Sequence, residues 1–105
     1  IQVNEGFRSG ERKRTMLLPP WEAQSVAWLY PRPNQVPYRP ANLDKMMAMA
    51  STFSRDFTYM RVDLYSVKQS ATRVMFGEFT FFPGSGSEPV DPYAFDLAIG
   101  ERLKL

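Results

Sequence analysis

The sequence predicts an α+β fold: a mostly antiparallel sheet with a central β-hairpin, and two helices packed on one face of it. Three observations lead there. Residues 57–67 and 73–82 alternate with strand periodicity around a short polar connection. Leu43, Met46, Met47, Ala50 and Phe53 recur at helical spacing. Asp91 and Pro92, followed by an apolar stretch closed by Gly100, give the start and stop signals of a second helix. With 105 residues, 44% of them hydrophobic and 14% aromatic, the chain fits a single domain with an apolar core.

The elements follow in chain order. Residues 1–18 read as two short strands, 1–4 and 12–18, around a turn in which Gly6 and Gly10 supply backbone freedom. Arg8, Arg12, Lys13 and Arg14 gather positive charge there. Such charge suits either a solvated sheet edge that resists further pairing or contact with an anionic substrate. Residues 19–41 hold six of the nine prolines together with Trp21, Trp28, Tyr30 and Tyr38. Proline at that density argues against regular structure, and the aromatics argue against disorder, so an ordered loop packed down by its rings is expected. Asn42 can cap the helix that follows, whose methionines suit an adaptable core better than a cofactor box. The central hairpin then turns through 68–72, and the run Pro83-Gly84-Ser85-Gly86-Ser87 closes its second strand. Such a glycine-rich loop offers N–H groups to an anion, although ordinary turn chemistry explains it equally.

Composition narrows the chemistry. There is no cysteine and no histidine, which removes disulfides, thiolate nucleophiles, the commonest general base and the commonest transition-metal ligands. A metal held by this chain must sit on oxygen, which favours Mg²⁺, Mn²⁺ or Ca²⁺. A net charge of +2 and a pI near 9.1 accord with a phosphate-bearing ligand without requiring nucleic acid. The apolar runs fall far short of the roughly 20 residues that span a bilayer, and no signal peptide is evident, so a cytoplasmic protein is expected. The sequence opens at Ile1, without Met, in what reads as a strand, which suggests part of a longer gene product.

The candidate site lies on the central hairpin. If the turn centres on Ser70-Ala71, Val67 faces Val74, Asp63 faces Glu78 and Arg61 faces Thr80. Opposed residues hold their Cβ atoms about 4.5–5.5 Å apart, so Asp63, Glu78 and Thr80 share one face at close quarters. Facing carboxylates repel unless a cation sits between them. A divalent metal completed by phosphate oxygens is one solution, and neutralisation by Arg61 in a surface salt-bridge cluster is the other. A one-residue slip of register would still leave the two carboxylates on neighbouring positions.

These residues resemble a known pattern. Arg61-Val62-Asp63-Leu64-Tyr65, a short turn, and then Phe76-Gly77-Glu78-Phe79-Thr80-Phe81-Phe82-Pro83-Gly84-Ser85-Gly86 are similar to the TupA-like ATP-grasp proteins of teichuronopeptide and other cell-surface polysaccharide biosynthesis. Pro40-Ala41-Asn42-Leu43-Asp44-Lys45-Met46 resembles the lead-in to the helix before that hairpin. Phe95-Asp96 to Gly100, with Leu103 to Leu105, resembles the family's C-terminal end. The likeness is good over about two thirds of the chain and loose over the first forty residues, which suggests the C-terminal portion of such a fold.

The resemblance implies ATP and Mg²⁺ (or Mn²⁺) as cofactors, with Asp63 and Glu78 as the metal ligands. Thr80 stands where many ATP-grasp enzymes carry an asparagine. The family chemistry activates a carboxylate as an acyl phosphate that an amine attacks, and catalysis there is mainly positioning and charge neutralisation. Arg61 is then the candidate contact to phosphate or acyl phosphate, with Arg12 and Arg14 as further cofactor contacts. ATP-grasp folds hold the nucleotide between two α+β halves, so the resemblance implies a missing N-terminal half, or a homodimer that covers the surface it leaves. The expected function is the metal- and phosphate-binding portion of a carboxylate–amine ligase-like enzyme. The alternative is a non-catalytic assembly module of the same descent. A nucleic-acid-binding sheet ranks below both, because Asp63 and Glu78 occupy the face that would have to meet phosphates.

Overall fold

The computed structural model describes residues 1–67, 70 and 72–103. The α+β class and the antiparallel pairing hold. The strands are not gathered in one sheet, however, but form three small ones, and the chain divides into two compact units: residues 1–38 with 87–102, and residues 39–86 with 103–105.

In the first unit, β1 (Gln2–Glu5) pairs antiparallel with β2 (Lys13–Leu18), which pairs in turn with the two-residue β3 (Glu22–Ala23). A second small sheet joins β4 (Ala27–Trp28) to β7 (Val90–Asp91), and α2 (Tyr93–Gly100) packs on β7. The proline-rich segment is thus ordered, as expected, but it also contributes β3 and β4. Its stretch from Trp21 to Tyr30 contains no proline, so those backbone N–H groups are free to enter ladders. Trp21 pins the following loop by donating its ring N–H to the Pro37 carbonyl at 2.9 Å. The core of this unit is Leu17 and Val26, buried together with Thr15 and the side chain of Arg14. The second helix begins two residues after Asp91, because Asp91 is taken up by pairing with Ala27; Pro92 occupies the cap position.

The β1–β2 turn depends on Gly6. Its φ is +77°, and a Cβ there would run into the carbonyl oxygen of Glu11. Gly10 has a similar φ of +79° but open space around it. Gly6→Ala is therefore expected to cost about 1–3 kcal/mol and Gly10→Ala distinctly less. Urea unfolding of the two variants measures the difference, and equal losses would show that the steric contact is unimportant.

In the second unit, α1 (Leu43–Ser54) packs against β5 (Arg61–Ser66), which pairs with β6 (Val74–Thr80). The two helices thus cover different sheets rather than one shared face. Asn42 precedes α1 as expected but makes no side-chain cap. Its buried amide instead donates to the Arg73 carbonyl at 3.0 Å, and its oxygen accepts from the Ser66 hydroxyl at 2.8 Å. The start of α1 is thereby tied to the end of β5 and to the residue that precedes β6. The turn expected about Ser70-Ala71 falls partly on 68, 69 and 71, outside the described residues; Ser70 Oγ accepts from the Arg73 N–H at 3.1 Å. Residues 104–105 of the expected C-terminal match also lie outside the described residues. Among the described residues, no helix is long and apolar enough to cross a membrane.

Candidate metal and phosphate site

The register of the hairpin decides what its face can do. Arg61 faces Thr80 and Val62 faces Phe79, as the sequence leads one to expect. Beyond them the ladder is interrupted between Val62 and Leu64, and pairing resumes one residue out of step, with Leu64 opposite Phe76 and Ser66 opposite Val74. The expected pairs Val67–Val74 and Asp63–Glu78 are therefore replaced. Asp63 alone lies against Gly77 and Glu78, the arrangement of a β-bulge with its extra residue on β6.

The bulge reverses the alternation along β6. Phe76 and Phe79, expected on opposite faces, both turn toward Phe53 of α1, with ring centroids 6.1 and 5.5 Å away in edge-on geometry. Phe76 and Phe79 also touch each other, at 4.7 Å. With the aromatic residues committed to the helix side, Glu78 and Thr80 emerge on the other side beside Arg61 and Asp63. Gly77 makes this geometry sterically accessible: a Cβ there would sit 2.7 Å from the Tyr65 ring and 3.0 Å from the Asp63 carbonyl oxygen. A glycine within a strand was the one local signal of the bulge.

The structure brings Arg61, Asp63, Glu78 and Thr80 together. The Arg61 guanidinium is forked onto Asp63, with Nε donating to Oδ1 at 2.8 Å and Nη2 to Oδ2 at 3.0 Å. The same Nη2 donates to Glu78 Oε1 at 3.2 Å, and the Thr80 hydroxyl lies 3.4 Å from that oxygen. The cationic neutraliser between the carboxylates is thus Arg61. Burial opposes its charge, but the hydrogen bond to Asp63 and the charges of Asp63, Glu78 and Tyr59 outweigh it and raise the guanidinium above its ordinary value. The cluster is half-open: the side chains of Arg61 and Asp63 are 26% and 31% exposed, and that of Glu78 is 65% exposed.

Arg12 and Arg14 lie in the other unit, with partners of their own. Arg14 is buried; Nε donates to Asn4 Oδ1 at 2.9 Å, and Nη1 pairs with Glu88 Oε2 at 2.8 Å. Tyr30 lies between the two arginines: the Arg14 guanidinium is 5.1 Å from its ring centre, and Arg12 donates to its hydroxyl at 3.0 Å. Glu88 escaped sequence reasoning because its partner is 74 positions away, and no local pattern announces such a pair. The glycine-rich loop after β6 forms a tight turn over Pro83–Gly86, with φ near +53°, +55° and +75° at Gly84, Ser85 and Gly86.

The donor set can be tested against a divalent metal. Among the described residues, no group of three or more carboxylate, histidine or cysteine side chains converges on one point. Asp63 and Glu78 nevertheless share one hydrogen-bond donor, so their oxygens already converge on a cation. Two carboxylates are too few for a dedicated calcium cage but fit magnesium, which is commonly held by one or two carboxylates with phosphates and water completing the octahedron.

Comparison with known proteins bears on this geometry. Neither curated proteins nor solved structures yield a match to the chain. The family profile described as TupA-like ATPgrasp matches residues 8–104, which takes in the whole hairpin, the preceding helix and most of the first unit. A match over almost the entire sequence places this chain in the TupA-like ATP-grasp family.

Proposed function

We propose that the chain carries the metal- and ATP-phosphate-binding portion of an ATP-grasp carboxylate–amine ligase-like enzyme of the cytoplasm, acting in the synthesis of a cell-surface polysaccharide. The observation that carries this reading is the convergence of Asp63, Glu78, Thr80 and Arg61 on one face of a bulged hairpin, in a chain of this family. Asp63 and Glu78 would hold the metal, and Thr80 would orient Glu78. When bound there, Mg²⁺ (or Mn²⁺) would offset the negative charge of the nucleotide phosphates and of an acyl phosphate.

The chain's own residues supply positioning. The bulged ladder brings Asp63 of β5 and Glu78 of β6 to one side, and the Phe53–Phe76–Phe79 cluster packs that ladder against α1. Fixed carboxylates need no reorganisation as charge shifts during phosphoryl transfer, which is where such sites gain most. Arg61, with its planar fork, suits a bidentate contact to phosphate or acyl-phosphate oxygens. Arg12 and Arg14 are engaged within the first unit, and the proposal does not rest on them.

Anisotropy of a fluorescent ATP analogue tests the proposal. Saturable binding is expected in Mg²⁺ and is expected to vanish in excess chelator. Binding of equal strength without metal would contradict it, and so would the absence of binding at millimolar nucleotide.

A further inference from the structure

The Arg61 guanidinium is bound by the two carboxylates to which the proposed function gives a metal ion. Its Nη2 touches Asp63 Oδ2 at 3.0 Å and Glu78 Oε1 at 3.2 Å, and its Nε holds the remaining Asp63 oxygen at 2.8 Å. A divalent cation bound by the same two carboxylates needs oxygens at about 2.0–2.1 Å in near-octahedral array, in the space that Nη2 occupies. The two cations therefore compete for Asp63 Oδ2 and Glu78 Oε1. The geometry points to Arg61 as an internal counter-ion that holds Asp63 and Glu78 until a divalent cation arrives with phosphate, and that then transfers its fork from the carboxylates to a phosphate oxygen.

This inference rests on the proposed metal site and adds an order of events to it. A metal arriving alone must compete with a guanidinium held through three charged hydrogen bonds and brings it no anion in exchange. A metal arriving with a polyphosphate brings the replacement partner with it. Metal and nucleotide should then bind with positive coupling through one side chain. The side chain can make the exchange because it is partly exposed and the Glu78 carboxylate beside it is open to solvent. A guanidinium also forks onto phosphate as readily as onto carboxylate, which a lysine at this position would not do. A merely structural ion pair predicts no such reciprocity.

The test is Mn²⁺ binding, followed by electron paramagnetic resonance, to the wild-type chain and to Arg61→Met, with Mn²⁺ alone and with Mn²⁺–ATP. Removing the competing cation is expected to tighten Mn²⁺ alone by about tenfold, on the scale of hydrogen bonds to charged groups, while weakening Mn²⁺–ATP by a similar factor. These opposite changes from one substitution are the expected signature. Unchanged or weakened binding of Mn²⁺ alone in the variant, while wild type still binds Mn²⁺–ATP, overturns the exchange and leaves the metal reading standing. No binding to wild type in either form overturns both.

A measurement on the wild-type chain guards against misfolding of the variant. The Arg61 Nε–Hε resonance, assigned by ¹⁵N NMR, is expected to move on saturation with Mg²⁺–ATP but not with Mg²⁺ alone at the same concentration. A resonance unmoved at saturation, or moved equally by Mg²⁺ alone, overturns the exchange.

Discussion

Arg14→Met is expected to destabilise the chain by about 3–5 kcal/mol, the cost of leaving a buried charge without its partner. The Arg14 side chain is 6% exposed and that of Glu88 is 16% exposed, and their contact is 2.8 Å. Removing the guanidinium leaves the Glu88 carboxylate uncompensated and takes a donor from Asn4 Oδ1, which it bonds at 2.9 Å. Chains of this size are stable by only about 5–15 kcal/mol, so the loss is a large part of the whole. The double variant Arg14→Met with Glu88→Met should recover most of it, because two apolar side chains no longer bury an unpaired charge. Urea unfolding of both variants checks the pair of outcomes. A single variant as stable as wild type would show that the pair is solvated in solution.

Glu78→Gln is expected to have the largest functional effect, with little cost to folding. The Glu78 side chain is 65% exposed and makes one 3.2 Å contact to Arg61. Pairs that exposed contribute about 0–1 kcal/mol, and Arg61 keeps its fork on Asp63. Little stability should be gained from relief of repulsion between the carboxylates, because Arg61 bridges them and Glu78 is largely in solvent. A metal site is less forgiving: an amide lacks the charge that binds magnesium, and with two carboxylates in the site the loss is half of the protein's anionic donors. Affinity for Mg²⁺–ATP is expected to fall about a hundredfold or more. Thermal unfolding unchanged to within a few degrees would separate this loss from any damage to the fold.

Much of the second unit was legible in the sequence because its signals are local. The alternation in 57–67 and 73–82 marks both strands of the hairpin, and the spacing from Leu43 to Phe53 marks α1. The grouping of the four candidate residues was also legible, since Arg61 opposite Thr80 fixes the open end of the ladder and the carboxylates sit just inside it. The bulge is invisible to a periodicity argument, although Gly77 marks the place. An extra residue changes which faces the flanking side chains share, and a strict two-residue period assigns Phe76 and Phe79 to opposite sides when both pack on Phe53. The first unit was harder to read because its pairings are distant. Ala27 meets Asp91 and Arg14 meets Glu88, contacts set by tertiary packing rather than by neighbouring residues. Proline density also hid β3 and β4, since a count over residues 19–41 conceals the proline-free stretch inside it.

The exposed aromatic side chains of the second unit set a bound on what binding there should look like. Phe76, Phe79 and Phe81 are 48%, 43% and 43% exposed, so nucleotide binding that used them would be independent of metal. Metal dependence is therefore what distinguishes the carboxylate face from non-specific stacking of adenine on aromatic rings.

Calorimetric titration of Mg²⁺–ATP into the wild-type chain and into Glu78→Gln, at matched ionic strength and with a chelator control, tests the central claim most directly. Saturable heat is expected for wild type in magnesium, and none for wild type in chelator or for Glu78→Gln. Equal heats for the two proteins, or heat that persists without metal, would contradict a metal site built on Asp63 and Glu78.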